Sequence, residues 1–274
     1  MHGMHARLPR HFVLEERLER YADVIELEPA CLAGHWAEAC APLTPTGLGS
    51  FDEVRLDLGC GKGAFLVESA RREPHVLFVG MDAEPLCIAY TAQHIVEAGL
   101  SNAIVVPAKG SNVCNAFGAG ELSRLHLNFP TPYPRKREAS HRLVILERLL
   151  EYRAVLSANA TLRLRTDSQP LRDFTLTQLG LAGYNVVWTS DDERRDRPNE
   201  PSSEYEQRLT AQGAPVYGIW ATPNPNAALG SVRQTASLSL VDYLPTDLNA
   251  MTYVPHGMQG TVLNLRNRAS KRAE

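Results

Sequence analysis

Cysteine is scarce in this chain and poorly placed for structural chemistry. The five residues (Cys31, Cys40, Cys60, Cys87 and Cys114) form no C-x-x-C pair and are odd in number. That pattern argues against a disulfide framework and against a zinc site, and it sets the expectation of reduced thiols in a cytoplasmic setting with no bound metal. Long apolar runs are missing too. No stretch approaches a membrane span, so no membrane partner is expected. The opening residues 1–5 lack a signal-peptide core and read as a polar chain end. Excess charge is also absent: the net charge is −3, so a nucleic-acid partner would have to be held by a local basic patch. No internal repeat is visible. What remains is 274 residues with 44% hydrophobic content, enough for one large core or one core with a small appendage.

Residues 1–50 are irregular, with an acidic helical stretch over 14–28 and a loop rich in Pro, Thr and Gly over 41–50. From residue 52 the pattern alternates. Strands are predicted at 52–58, 76–82, 102–107, 122–129, 161–166, 184–189 and 216–221. Helices are predicted at 62–72, 85–98 and 169–180, with a longer one over 141–157 marked by Leu143, Leu146, Leu149, Leu150 and Leu156. A charged loop is expected over 190–204. Alternation of this kind implies a parallel sheet covered on both faces, with ligands at the carboxyl ends of the strands. Beyond residue 222 a tail of weak periodicity ends in Arg266, Arg268, Lys271 and Arg272. It reads as a solvated basic end, with an RNA-touching arm as the second option.

The first predicted strand runs into Asp57-Leu58-Gly59-Cys60-Gly61-Lys62-Gly63. Glycines on alternate positions let a ligand lie against bare backbone, and the following helix start favours polar or anionic groups. Two readings fit. Gly59, Gly61 and Ala64 satisfy a dinucleotide fingerprint, whereas Asp57 with Gly59, Gly61 and Gly63 suits S-adenosylmethionine. Both want an acid at the end of the next strand to take two ribose hydroxyls, and Asp82 supplies it.

Further along, Asn128-Phe129-Pro130-Thr131-Pro132-Tyr133-Pro134-Arg135-Lys136-Arg137 follows the fourth strand. Three prolines in five residues make a stiff turn at the ligand edge of the sheet. Tyr133 is available for stacking there, and Arg135, Lys136 and Arg137 can grip phosphates. Arg142 is expected to extend this patch.

These residues resemble the tRNA guanine-N7 methyltransferases, which modify a guanosine of the tRNA variable loop. That family carries an F-P-D-P-W-like turn followed by basic residues, matched here by Phe129-Pro130-Thr131-Pro132-Tyr133 with Arg135. It also carries a Thr-Asp pair after strand five, here Thr166-Asp167. A T-x-F/Y-E run precedes the last strand, here Ser203-Glu204-Tyr205-Glu206. The resemblance spans roughly 52–221 and implies an α/β fold: a Rossmann-like class I methyltransferase with a seven-stranded, mostly parallel sheet and helices on both faces. It divides the chain into an N-terminal extension (1–50), a methyltransferase domain (51–222) and a C-terminal extension (223–274).

By position, the resemblance assigns Asp57, Gly59, Gly61, Gly63, Asp82, Ala108 and Asn128 to S-adenosylmethionine. It gives Arg135, Asp167, Ser203, Glu204, Tyr205 and Glu206 to the target guanosine and nearby RNA, and gives Thr131, Asp167 and Glu206 catalytic places. The implied enzyme is cytoplasmic, binds tRNA, holds no metal and acts as a monomer or homodimer. Guanine N7 bears a lone pair and no proton, so the task is to present the base rather than to deprotonate it. Asp167 and Glu206 are the candidates for accepting from guanine N1–H and N2–H₂. Two positions depart from the pattern. Thr131 stands where the family carries Asp, and Ala108, beside Lys109, replaces an Asp near the adenine. These departures keep open an RNA-binding paralogue of weakened or no turnover, or a methyltransferase for another nucleobase.

Overall fold

A computed structural model describes residues 12–43, 50–230, 232–251 and 253–273. Residues 1–5 and loop positions 44–49, read above from sequence, lie outside them. In chain order the elements are α1 (Leu14–Arg20), β1 (Glu53–Leu58), α2 (Ala64–Arg72), β2 (Val76–Asp82), α3 (Pro85–Glu97), β3 (Ala103–Pro107), α4 (Val113–Ala116), β4 (Leu122–Asn128), α5 (Leu146–Val155), β5 (Leu156–Thr166), α6 (Gln169–Leu181), β6 (Tyr184–Ser190), α7 (Glu193–Asp196), α8 (Glu204–Thr210), β7 (Tyr217–Pro223) and α9 (Gln259–Ala273).

The seven strands form one sheet in the order β3-β2-β1-β4-β5-β7-β6. β3 through β5 run parallel, and β7 pairs antiparallel with both β5 and β6. Near-continuous burial along β1 and β2 explains their unbroken apolar sequences, since helices cover both faces of a parallel sheet. Leu56, Leu77, Val79, Leu125, Leu127, Leu162 and Leu164 are fully enclosed at the sheet centre. The strand order reverses between β1 and β4. A crevice therefore opens beyond their carboxyl ends, the place where open α/β sheets bind ligands. Asp57 and Asn128 stand on its two sides.

Several elements differ from expectation. The predicted helix 141–157 is only α5. Its leucine pattern continues backwards through Arg142–Ile145, but Val144 is buried in a turn there and Ile145 is buried in extended conformation just before the helix. β5 accordingly starts at Leu156, pairing with Leu122. The acidic stretch 14–28 is helical only through α1 and a short 3-10 turn. Ile25 leaves it to bridge Val105, and the Glu26 amide donates to the Val105 carbonyl at 2.9 Å. The loop 190–204 contains the short α7. Finally, the weakly periodic tail ends in the fifteen-residue α9, seated by the buried Met258 and Val262.

Candidate functional site

The turn after β1 is built from three left-handed glycines: Gly59, Gly61 and Gly63 have φ of 78°, 57° and 79°. Their bareness serves two purposes. A Cβ on Gly61 would meet open space, whereas one on Gly63 would lie 2.7 Å from Thr91 Cγ2. Gly61 thus offers backbone to a ligand, and Gly63 lets α3 pack close. α3 also fixes the turn. The Thr91 hydroxyl donates to the Gly61 carbonyl at 2.9 Å, and His94 Nδ1 lies 2.8 Å from the Lys62 carbonyl. Because Gly63 is left-handed, α2 starts at Ala64, two residues later than the pattern suggests.

Two carboxylates flank this turn. Asp57 is buried at the end of β1, where Asn128 Nδ2 donates to its Oδ1 at 3.0 Å. It enters no ion pair among the described residues. Burial pushes its carboxyl up to about 7, with Asp82 adding a smaller push in the same direction. Asp82, at the end of β2, accepts from the Gly61 amide at 3.0 Å through Oδ2 and from the Glu84 amide at 2.9 Å through Oδ1. Burial raises it as well. A buried carboxylate with no ion-pair partner among the described residues suits a ligand that brings a cation, and Asp82 keeps lone pairs for a vicinal diol. After β3, Ala108 presents a half-buried methyl packed on the core, and the neighbouring Lys109 is exposed. That edge offers apolar contact in place of an acid.

The proline turn begins and ends on strained backbone: Phe129 and Tyr133 have φ of 51° and 45°, rare for side chains of this size. The Phe129 amide donates to the Arg165 carbonyl at 2.8 Å. Thr131 is exposed at the apex, followed by exposed Arg135, Lys136 and Arg137. Arg142 does not extend this patch as expected. It is buried under the turn, where Nε donates to the Pro132 carbonyl at 2.9 Å and Nη2 donates to the Tyr133 carbonyl at 2.6 Å. Its guanidinium lies 4.6 Å from the Phe174 ring centroid. Prolines give no N–H, so the turn cannot brace itself; a buried guanidinium reaches its carbonyls instead. Burial lowers Arg142 to about 10, which leaves it charged at neutral pH.

Beyond β5, Asp167 is buried, and among the described residues both of its hydrogen bonds fall on Oδ2: the Tyr253 hydroxyl donates at 2.6 Å and the His256 amide at 3.1 Å. Ser203 caps α8, its Oγ accepting from the Glu206 amide at 3.1 Å. Glu204 is exposed. Tyr205 is half-buried, with its ring centroid 5.6 Å from Phe129 at 65° and 6.2 Å from His256 at 90°. Glu206 is buried among arginines: Oε2 lies 3.7 Å from Arg165, and Oε1 pairs with Arg194. Arg165 also donates to Glu193 at 2.9 Å and to the Pro201 carbonyl at 2.6 Å, tying β5 to the segment that carries α8. Burial raises the Glu206 carboxyl against these cations. Guanidinium groups occupy both its oxygens, so Glu206 orients α8, whereas Asp167 keeps Oδ1 without a protein donor among the described residues.

Tyr253 and His256 are the site residues that sequence reasoning missed. They sit in the weakly periodic tail, and their only signal was an aromatic and a histidine within four positions. The tail also forms one side of a groove of about 620 Å³, lined by Pro134, Arg135, Gly257, Thr261, Asn264 and Arg268. Among the described residues no helix is long and apolar enough to cross a membrane, and no cluster of three or more metal-ligating side chains occurs.

Residues 52–219 match a family model described as "Putative methyltransferase". A tRNA (guanine-N(7)-)-methyltransferase of Lactiplantibacillus plantarum is 32% identical over 204 residues, covering 74% of this chain and 91% of the relative. One from Limosilactobacillus fermentum is 29% identical over 206 residues, covering 74% and 92%. Among solved structures, the 16S rRNA methyltransferase KamB superposes with a TM-score of 0.52 at 18% identity, over 64% of this chain and 89% of that one. An antibiotic-related methyltransferase gives 0.50, also at 18% and over the same shares. At such identities the likeness is one of fold, and it is the Rossmann-like class I fold that the family resemblance implied.

Proposed function

The chain belongs to the tRNA (guanine-N(7)-)-methyltransferase family, and from that membership we propose that it transfers a methyl group from S-adenosylmethionine to N7 of a guanosine in the tRNA variable loop. The observation that carries the reading is Asp57: a buried carboxylate with no ion-pair partner among the described residues, at the sheet's reversal point and beside a turn of bare backbone. When bound, S-adenosylmethionine supplies an electrophilic methyl on a sulfonium. Asp57, oriented by Asn128, would hold the ammonium of its amino-acid end. Asp82 would take the ribose hydroxyls, and Gly59 and Gly61 would let the ligand lie on the main chain. Ala108 would meet the adenine as an apolar wall.

Because N7 already carries a lone pair, the protein need only hold the base in line and exclude the wrong one. Asp167 Oδ1 is suited to accept from guanine N1–H and N2–H₂. Adenine presents an acceptor at N1, which a carboxylate repels. The edges of Phe129 and Tyr205 offer packing for an unstacked base. Thr131, at the exposed apex, can give and accept hydrogen bonds but supplies no charge. The phosphates of the tRNA would be met by Arg135, Lys136 and Arg137 and, across the groove, by Arg268 of α9. With a net charge of −3, such local cations must carry the attraction. A tRNA substrate places this work in the cytoplasm.

Incubation of the purified protein with unmodified tRNA and methyl-labelled S-adenosylmethionine tests the proposal. Label in tRNA is expected; a folded protein that binds the cofactor yet leaves tRNA unlabelled would remove the catalytic claim.

A further inference from the structure

The family match stops at residue 219, and the curated relatives align with about three quarters of this chain while nearly spanning their own lengths. The segment that ends in α9 lies beyond the family model, yet it reaches the edge where the substrate base would lie. Its approach is close. A Cβ on Gly257 would stand 3.5 Å from Pro132 Cγ, and the Leu240 amide donates to the Pro134 carbonyl at 3.0 Å. Both contacts fall on the proline turn.

The segment is firmly anchored. Met258 is fully buried with its sulfur 3.6 Å from the Ser168 hydroxyl, and Leu240 and Val262 are buried as well. The Tyr243 ring stands edge-on to Phe174 at 5.8 Å. Arg266 donates to the Leu248 carbonyl at 2.7 Å through Nη2, closing the loop that carries Tyr253 and His256. These contacts hold Tyr253 and His256 over Asp167 as part of the wall, with buried apolar anchors on both sides of them in sequence.

We infer that this segment completes the substrate-base site, and that Tyr253 is a positioning residue which, with the His256 amide, turns Asp167 so that its Oδ1 is the acceptor offered to the N–H donors of the base. The inference rests on the reading of Asp167 as the base-recognising carboxylate. Its geometric ground is the asymmetry of the hydrogen bonds. Two donors converge on Oδ2, at 2.6 and 3.1 Å, and none among the described residues reaches Oδ1. A carboxylate held by one oxygen cannot rotate without breaking two bonds, one of them to main chain. The free oxygen is thereby fixed in direction before any base arrives. Burial beside Asp167 also raises the Tyr253 phenol, so it stays a donor across the physiological range. The His256 ring, edge-on to Tyr205, completes an aromatic border on the same side. The class of ligand selected is a purine with adjacent N–H donors on its Watson–Crick edge, which is guanine rather than adenine.

The test is a double-mutant cycle in the full chain: wild type, Tyr253→Phe, Asp167→Asn and the double variant. Each is measured for kcat and KM with tRNA, for tRNA dissociation constant, and for KM with S-adenosylmethionine. Tyr253→Phe keeps the ring and its packing while removing only the donor. It is expected to lower kcat/KM for tRNA on the order of tenfold, with KM for S-adenosylmethionine unchanged. In the Asp167→Asn background the same substitution should cause no further loss, because the hydroxyl acts through that carboxylate. The affinity readout keeps the cycle measurable if Asp167→Asn turns over slowly. An unchanged Tyr253→Phe enzyme, or a loss of equal size in both backgrounds, would overturn the inference while leaving the methyltransferase reading intact. A faster Tyr253→Phe enzyme would overturn it too, by making the segment an obstruction. A wild-type chain that methylates no tRNA would instead bring down the functional reading, and this inference with it.

Discussion

Asn128 Nδ2 donates to Asp57 Oδ1 at 3.0 Å, and no other side-chain hydrogen bond reaches that buried carboxylate among the described residues. The pair spans the reversal point of the sheet, one residue at the end of β1 and the other at the end of β4. Asparagine can orient a carboxylate but cannot neutralise it. The result is a group whose carboxyl lies at about 7 instead of near the usual range below 4, with burial as the main cause.

Such a group destabilises the fold when ionised. The native carboxyl at about 7 lies above the roughly 3.9 of an unfolded aspartate, so the native state binds its proton more tightly. Stability from this site is fully present below about pH 4 and is lost progressively as pH rises towards 7. Asp57→Asn, which does not titrate, should therefore stabilise the chain relative to wild type by about 2–3 kcal/mol more at pH 8 than at pH 5. Urea unfolding of both proteins at the two pH values measures the difference. A pH-independent difference would mean that Asp57 is ionised throughout.

Cofactor binding should show the opposite face of the same property. A cationic amino-acid end needs Asp57 ionised, so below about pH 7 binding must expel a proton. The affinity for S-adenosylmethionine is expected to fall up to about tenfold per unit as pH drops from 7 to 5. Calorimetry in buffers of different ionisation enthalpy should detect the released proton. Asp57→Asn should bind more weakly and lose the pH dependence; binding by wild type that is level from pH 5 to 7 would contradict the assignment.

Arg142 offers a clean separation of scaffold from RNA contact. Removing a buried guanidinium that serves two carbonyls should cost about 2–4 kcal/mol and slacken the proline turn. Arg142→Ala is expected to unfold at lower denaturant and to transfer methyl groups more slowly. The slope of tRNA affinity against salt should not change. Intact stability with a shallower salt slope would make Arg142 an RNA ligand after all.

Arg135 and Arg268 should behave the other way. Each is exposed on one side of the groove between the turn and α9. Arg135→Gln and Arg268→Gln are each expected to weaken tRNA binding and to reduce the slope of log affinity against log salt by about 0.7–0.9, with no change in unfolding. Filter binding between 50 and 200 mM salt would show this. Unaltered slopes for both would move the RNA to another face.

What could be read from the sequence divides along physical lines. The strands of the sheet centre were legible because burial on both faces leaves apolar runs such as Val76–Val79, and the turn because left-handed backbone calls for glycine at 59, 61 and 63. The start of α5 was not. Leucine spacing continues through 143, but Val144 and Ile145 are buried in a turn whose path is fixed by Arg142 gripping the preceding proline turn. Arg142 itself looked like one more charge in a basic run, since nothing local marks a guanidinium destined for burial. Tyr253 and His256 were illegible for a related reason: their partner Asp167 lies more than eighty positions away. The short motif at 203–206 was legible as a motif, but the places of its two acids were not. Glu206 turns in to Arg165 and Arg194, and Glu204 turns out to solvent.

The most direct measurement is mass-spectrometric nucleoside analysis of unmodified tRNA treated with this protein and S-adenosylmethionine, followed by mapping of the modified position. The account expects 7-methylguanosine at a single variable-loop guanosine, absent when the cofactor is omitted. Methylation of another base or another atom, or none by a folded protein that binds the cofactor, would contradict it.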